Sequence, residues 1–247
     1  MSEKIGNRII KLDRIDSTNN YATNRLFRED WPEGTVVVAN EQIKGRGQLS
    51  NSWESEPGKN LLLSVVFYPK FLPVQRQFQI SKVIALSVSE IVSLYSENIS
   101  VKWPNDVYAG ERKIAGILIE NAIMGNELSY SVAGIGLNIN QTVFRSDAPN
   151  PVSLSQLTNV VFNRDEILKL LLDSVDKWYD LLRKGDNAII DMAYLNLLYR
   201  LDSMERYEDE QGIFTGRILG VNAIGQLAIE KNSGEVHFYH FKEVAFL

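Results

Sequence analysis

Residues 99 to 121 limit what this chain can become more than any other stretch, because two β-prone runs meet there across a segment built to turn. The runs are Ile99 to Trp103 and Lys113 to Asn121. Between them Pro104-Asn105-Asp106 and Ala109-Gly110-Glu111 are polar or small, so the region reads as a β-hairpin and its loop. Pro104 has no N–H for a ladder and marks a strand end, which leaves Asn105 and Asp106 on loop backbone with side chains free to face a ligand. Gly116 has no side chain to pack, and a glycine inside a strand pattern marks a bulge or the close approach of another group. The hairpin also brings Lys102 and Lys113 to one connection. Lysines on a hairpin commonly do no more than solvate it, so a site requires a second feature.

Gln42 to Trp53 supplies one, following the β-branched strand Thr35 to Glu41. Gly45 and Gly47 permit a tight backbone approach, Arg46 presents a fork that matches phosphate oxygens, and Trp53 offers a face for stacking a base. Such a loop can wrap an anion, although Gly-X-Gly alone occurs in many surface loops. A second apolar strand, Asn60 to Tyr68, follows it. Upstream, Arg8 to Leu12 read as a strand, and Asp16-Ser17-Thr18-Asn19-Asn20 as its exit into a helix running to about Arg28. Asp16 or Ser17 suits the helix cap, the commoner fate of such residues, and a helix N-terminus with small polar side chains can also bind a compact polar group.

At 247 residues the chain can hold one large domain, or a large and a small one, with ample core. A formal net charge of −5 and a pI near 5.2 argue against a chain that coats nucleic acid, so no DNA binding is expected at moderate salt. Met1 to Leu12 lack a signal-peptide core, and no stretch approaches the roughly 20 apolar residues of a membrane span, so a cytoplasmic protein without a membrane partner is predicted. The absence of cysteine excludes disulfides, thiolate metal sites and a cysteine nucleophile. With only His237 and His240, both near the C-terminus, neither a histidine-based triad nor a histidine-rich metal site is expected.

Pro73 to Ser96 carries Phe78, Ile80, Ile84, Val88, Ile91 and Tyr95 near a 3.6-residue period, which predicts a core-packing helix. Leu128 to Asn140 forms a second hairpin with the Lys113 strand through a turn at Gly125-Asn126, and Gly134 and Gly136 let something lie against its backbone. Thr142 to Pro151 reads as a surface loop. Asn163-Arg164-Asp165-Glu166 is a capping-box pattern opening an amphipathic helix that Gly185 ends, and another helix spans Asn187 to about Tyr199. From Gly212 the texture turns to short β-rich runs over 212–219, 226–230 and 235–241, the signature of a small all-β module with its boundary near Asp202.

Lys102-Trp103-Pro104-Asn105-Asp106, then Arg112-Lys113-Ile114-Ala115-Gly116-Ile117-Leu118, together with Gly45-Arg46-Gly47, Asp16-Ser17-Thr18-Asn19 and Gly134-Ile135-Gly136-Leu137-Asn138, resemble the biotin protein ligase family in order and spacing over essentially the whole chain. The resemblance implies an α+β fold: a central mixed β-sheet flanked by helices, as in class II synthetases, over 1–201, and an SH3-like β-module over 202–247. It implies biotin and ATP as substrates, a biotin carboxyl carrier domain of a biotin-dependent carboxylase as partner, and biotinyl-5′-AMP as a non-covalently held intermediate. Lys113 and Arg46 are the implied catalytic pair, with the Lys113 ammonium stabilising charge between the biotin carboxylate and the α-phosphate. Ser17, Thr18, Asn19, Gln42, Arg46, Gly47, Gln48, Lys113, Gly116, Gly134 and Gly136 are the implied biotin residues. Arg46, Gln48, Trp53, Lys102, Asn105, Lys113 and Asn138 are those for ATP. Mg2+ is expected with the nucleotide, held largely by phosphates and water. No metal ligand is assigned; Asp106 is a candidate on chemistry, against the commoner role of a turn aspartate.

Some members of the family begin with a DNA-binding helix-turn-helix, and the early first strand here leads us to expect none. Gln48 stands where many members carry another arginine, and Leu49-Ser50 replace a more basic or glycine-rich pair. A lipoate ligase is the nearest alternative, but the triple glycine ending in histidine of those enzymes is missing from this sequence. A non-catalytic biotin-binding or assembly protein is the other alternative, and Lys113, Arg46 and Lys102 count against it, because a binder needs no phosphate-directed cations. The resemblance leaves a homodimer through the central sheet open.

Overall fold

Leu61–Phe67 is buried at every position, as a strand without a polar face must be, and layers cover both its sides. The computed structural model describes residues 4–48, 51–145 and 150–247. Residues 49–50, and 146–149 of the loop predicted over 142–151, lie outside the described residues. In chain order the first sheet comprises β1 (Ile9–Ile15), β2 (Val36–Gln42), β3 (Leu61–Phe67), β4 (Ile99–Lys102), β5 (Asp106–Ala109), β6 (Arg112–Met124) and β7 (Glu127–Leu137). Their spatial order is β1-β2-β3-β7-β6-β5-β4. β1 and β2 run parallel, joined through α1 (Thr18–Leu26), and the other neighbours are antiparallel, so the sheet is mixed as expected.

Side chains alternate across β3 and separate two layers. Leu61, Leu63, Val65 and Phe67 enter the main core, which also takes α2 (Phe78–Ser93) and α4 (Arg164–Lys184). Val66 instead joins Val37, Val132 and Ala22 of α1 on the opposite face. Ile80, Val83, Ile84, Val88 and Ile91 of α2 are buried, each worth about 1.5–3 kcal/mol relative to exposure. Their spacing gave the helix away, but its start is later than the expected Pro73, because Pro73 has ψ 143° and leads first into a 3-10 turn over Val74–Arg76.

Two further helices are α3 (Leu154–Thr158) and α5 (Asn187–Asn196). The reciprocal capping box sits on α3, between Ser153 and Gln156. At Asn163 the pattern behaves differently: its side chain accepts from the Asp165 N–H, and Glu166 accepts from the Asn163 side chain rather than its backbone. The second sheet, ordered β11-β10-β9-β8-β12, contains β8 (Met204–Asp209), β9 (Gly212–Val221), β10 (Leu227–Lys231), β11 (Val236–Tyr239) and β12 (Ala245–Phe246), all antiparallel. β8 and β12 were not foreseen, since Met204–Asp209 is mostly charged and β12 has only two residues.

Residues 99–121 form a three-strand meander, not one hairpin: β5 pairs with β4 on one side and β6 on the other. Asp106 therefore lies on a strand, and only Trp103, Pro104 and Asn105 make the first connection. The bulge suspected at Gly116 falls at Ile114, because Val107 pairs with Ala115 and Tyr108 with Lys113. Gly116 answers to the other expectation, close approach: a Cβ there would lie 2.7 Å from the Trp53 ring.

Candidate active site

Register explains how the sheet makes a site. Lys102 pairs with Asp106, Asp106 with Gly116, and Gly116 with Gly136, so the four stand in one cross-strand row. The next row holds Leu118, Gly134 and Ser64. Where three of these positions, 116, 134 and 136, would normally project side chains, glycines leave a trough. Lys113 and Gly116 stand three positions apart, which in a regular strand would put them on opposite faces. The extra residue at Ile114 restores Lys113 to the trough side, and both residues line a cavity of about 530 Å³.

One end of this cavity is polar and fixed. Ser17 occupies the cap position of α1 with no capping bond from its side chain, and Ser17, Thr18 and Asn19 are all buried. Gln42 Oε1 accepts from the Thr18 N–H at 2.7 Å and its hydroxyl at 3.0 Å. Buried Ser64 Oγ bonds to Thr18 Oγ1 at 2.8 Å and Asn19 Oδ1 at 2.6 Å. Asn19 Nδ2 donates to Glu120 Oε2 at 2.8 Å, and Glu120 Oε1 receives the Arg46 guanidinium at 2.8 Å. Ser64 and Glu120 are positioning residues that sequence reasoning missed. Their signal was faint: a serine inside an apolar strand, and a glutamate two residues past Leu118 on the trough side.

The glycine loop forms a narrow antiparallel arm. Gly47 N–H donates to Asn51 O at 2.7 Å and Trp53 N–H to Gly45 O at 2.9 Å. A Cβ at Gly45 would lie 2.4 Å from the Trp53 carbonyl oxygen, so only glycine lets the arm close so tightly. The arm lays the Trp53 indole over the glycine row, where a Cβ at Gly136 would come within 2.4 Å of the ring. The Lys113 ammonium stands 5.6 Å from the Trp53 ring centroid.

At the other end the charges differ in their partners. Lys113 Nζ meets Asp106 Oδ2 at 2.7 Å. Burial pushes the Asp106 carboxyl above the ordinary aspartate range, with Lys113 and Lys102 pulling against it. Lys102 makes no ion pair among the described residues; its ammonium stands 5.4 Å from the centroid of Tyr108, 5.9 Å from Tyr199 and 5.0 Å from Phe246. Burial draws it below the ordinary lysine range, partly offset by Asp106. Phe241, Lys242 and Val244 of the connection between β11 and β12, with Ala245 and Phe246 of β12, complete this wall.

Of the residues singled out in the sequence, Ser17, Thr18, Asn19, Gln42, Arg46, Gly47, Gln48, Trp53, Lys102, Asn105, Lys113, Gly116, Gly134 and Gly136 line this one cavity. Asn138 does not. It is buried beside the cavity, where its amide donates to Val152 O and its backbone N–H to Ile114 O. Among the described residues no three histidines, aspartates or glutamates group as metal ligands.

Residues 12–138 match the biotin/lipoate A/B protein ligase family model. The chain is 30% identical over 219 residues to biotin--[acetyl-CoA-carboxylase] ligase of Paracoccus denitrificans, covering 83% of this chain and 88% of that one. It is 29% identical over 245 residues to the bifunctional ligase/repressor BirA of Bacillus subtilis, covering 96% of this chain and 74% of that one. In three dimensions it resembles the biotin protein ligase from Aquifex aeolicus in complex with biotin and ATP, with a TM-score of 0.80, 28% identity and coverage of 98% and 99%.

Proposed function

Because the chain belongs to the biotin/lipoate A/B protein ligase family, we propose that it is a biotin--[biotin carboxyl carrier protein] ligase, which joins biotin to an acceptor lysine at the expense of ATP. The observation that carries the reading is the cavity itself: one continuous trough runs from a fixed set of neutral donors and acceptors to a cluster of cations. The polar end suits a ureido ring, which needs both donors and acceptors. The cationic end suits a carboxylate and a triphosphate that must be brought together against their repulsion.

In the first step a biotin carboxylate oxygen attacks the α-phosphorus, the bond to the bridging oxygen breaks, and pyrophosphate leaves with that electron pair. Lys113 stabilises the charge that builds between the two anions. Arg46, held by Glu120, donates across the polar end and carboxylate, Lys102 steadies the phosphates, and Asn105 and Trp53 face the nucleotide. In the second step the acceptor ε-amine attacks the mixed-anhydride carbonyl, AMP leaves, and the amine loses its proton. Mg2+ belongs to this reading as the counterion of the triphosphate. The described residues offer no cage for it, since the cavity carboxylate Asp106 is already committed to Lys113.

A carboxyl carrier domain of a biotin-dependent carboxylase is the acceptor under this reading, and the cytoplasm its place; no helix among the described residues is long and apolar enough to cross a membrane. The reading divides the chain into a ligase unit, 1–201, and a β-module, 202–247, supported by the opening of the second sheet at Met204. A homodimer through the central sheet and a monomer are both compatible with this reading, and a light-scattering mass with and without biotin tells them apart. The activity is tested by incubation with ATP, labelled biotin or lipoate, and an acceptor domain. Label must appear on the acceptor only with biotin and ATP together; its absence from well-folded protein would favour a binding protein, and lipoate transfer the related ligase.

Retention of the adenylate is a separate expectation. Gln48 lines the cavity, and its Oε1 is buried with no partner among the described residues. An arginine there would give the phosphate a charged hydrogen bond in place of a neutral one, worth on the order of 1 kcal/mol. Gln48→Arg should therefore slow release of preformed biotinyl-adenylate by roughly several-fold, read by rapid dilution. Equal release from both proteins would show that position 48 does not govern retention.

A further inference from the structure

Lys242 stands on the cavity wall in a backbone conformation that lysine does not favour. His240 to Glu243 form a turn closed by the Glu243 N–H to His240 O bond at 3.1 Å, and tightened by Glu243 Oε2, which accepts from the His240 N–H at 2.6 Å. Lys242 is its third residue and has φ +71°, where glycine fits without strain and an L side chain does not. A strained non-glycine residue at a cleft points to a use for its side chain. The turn is also fastened to the catalytic sheet. Phe241 packs edge-on against Trp103 at 6.4 Å, and Trp103 Nε1 donates to Gly225 O at 2.9 Å. Lys242 thus joins a rigid wall, and no carboxylate within ion-pair distance neutralises it among the described residues.

Resting on the ligase reading, we propose that Lys242 is a further nucleotide-binding residue, contributed by the connection between β11 and β12, which contacts the polyphosphate of ATP together with Lys102. The cation balance of the wall supports this. Lys113 is paired with Asp106 and Arg46 with Glu120, whereas Lys102 and Lys242 make no ion pair among the described residues and line the same cavity. Two unneutralised ammonium groups at one end of a trough fit a ligand part with several negative charges, which a triphosphate has and biotin lacks.

Lys242→Gly removes the cation and relieves the backbone, so the variant should fold at least as well as the parent. It should raise KM for ATP about five- to ten-fold, with kcat and KM for biotin changed by less than about two-fold. Lys242→Arg should recover most of the loss, since it keeps the charge. An unchanged ATP KM in Lys242→Gly overturns the proposal, and so does an equal rise in both KM values, which would mark a general effect on closure. If the parent makes no adenylate from biotin and ATP, the ligase reading fails. Calorimetric titration of parent and Lys242→Gly with ATP then decides separately: weaker binding by the variant supports Lys242 as a phosphate contact, and equal binding or none overturns it.

Discussion

Replacing Lys113 with alanine should slow biotinyl-adenylate formation by about 10²–10³-fold or more while the fold survives. The size follows from the proposed reaction: Lys113 lines the cavity at its charged end, and the variant loses its charge where the two anions are to converge. Survival is less simple, because Lys113 Nζ is bound to Asp106 at 2.7 Å and both side chains are about four-fifths covered. Losing one partner of such a pair leaves a carboxylate in a poor environment. Asp106 has an escape, since burial already lifts its pKa, and taking up a proton would remove the orphaned charge. The expected destabilisation is about 1–2 kcal/mol, below that of a fully buried broken pair. Adenylate formation under single-turnover conditions and thermal unfolding read the two effects apart. Lys113→Ala combined with Asp106→Asn should regain stability without regaining rate. If the double variant also regained rate, the role of Lys113 would be to neutralise Asp106 rather than to act on substrate.

Gly134→Ala should raise KM for biotin by about 10–100-fold, although it adds only one methyl group. Its Cβ would lie 2.4 Å from Asn19 Oδ1. Asn19 cannot simply swing aside, because Oδ1 is bonded by Ser64 and Nδ2 by Glu120 and the Leu118 carbonyl. Moving it would disturb Thr18 through Ser64, and Arg46 through Glu120, so the whole polar end shifts with one residue. Overpacking of this kind also costs about 1–3 kcal/mol of stability. Isothermal titration with biotin is the direct measurement, and an affinity within about two-fold of the parent would mean that the polar end relaxes more freely than its bonds suggest. ATP affinity should change much less, since Gly134 lies in the row of Ser64 rather than that of Lys102.

Much of this site could be read from the sequence because its parts are local signals. Glycines within strands, a Gly-Arg-Gly loop and a small-polar helix start are visible without knowing what they touch. The strands and helices with long apolar patterns, Leu61–Phe67 and Phe78–Ser93 above all, were legible for the same reason. What escaped depends on partners distant in the chain. Glu120 is an ordinary strand glutamate until Asn19 and Arg46 arrive beside it. Phe246 and Lys242 look like tail residues of a β-module until β12 folds against the cavity. β5 was hidden because its apolar core, Val107-Tyr108-Ala109, is too short to stand out between two turns.

The bulge at Ile114 acts as a parity switch. Up to Lys113 the strand is counted in one phase, and from Ala115 in the other, so even and odd positions exchange faces at a single residue. With Ile114 in the strand, a regular ladder without the bulge would turn Lys113 out of the trough or drag Gly116, Leu118 and Glu120 out instead. The ammonium and the glycine floor share one side only while the bulge takes up that odd residue. The same change of phase defeats any comparison that counts this strand strictly in twos.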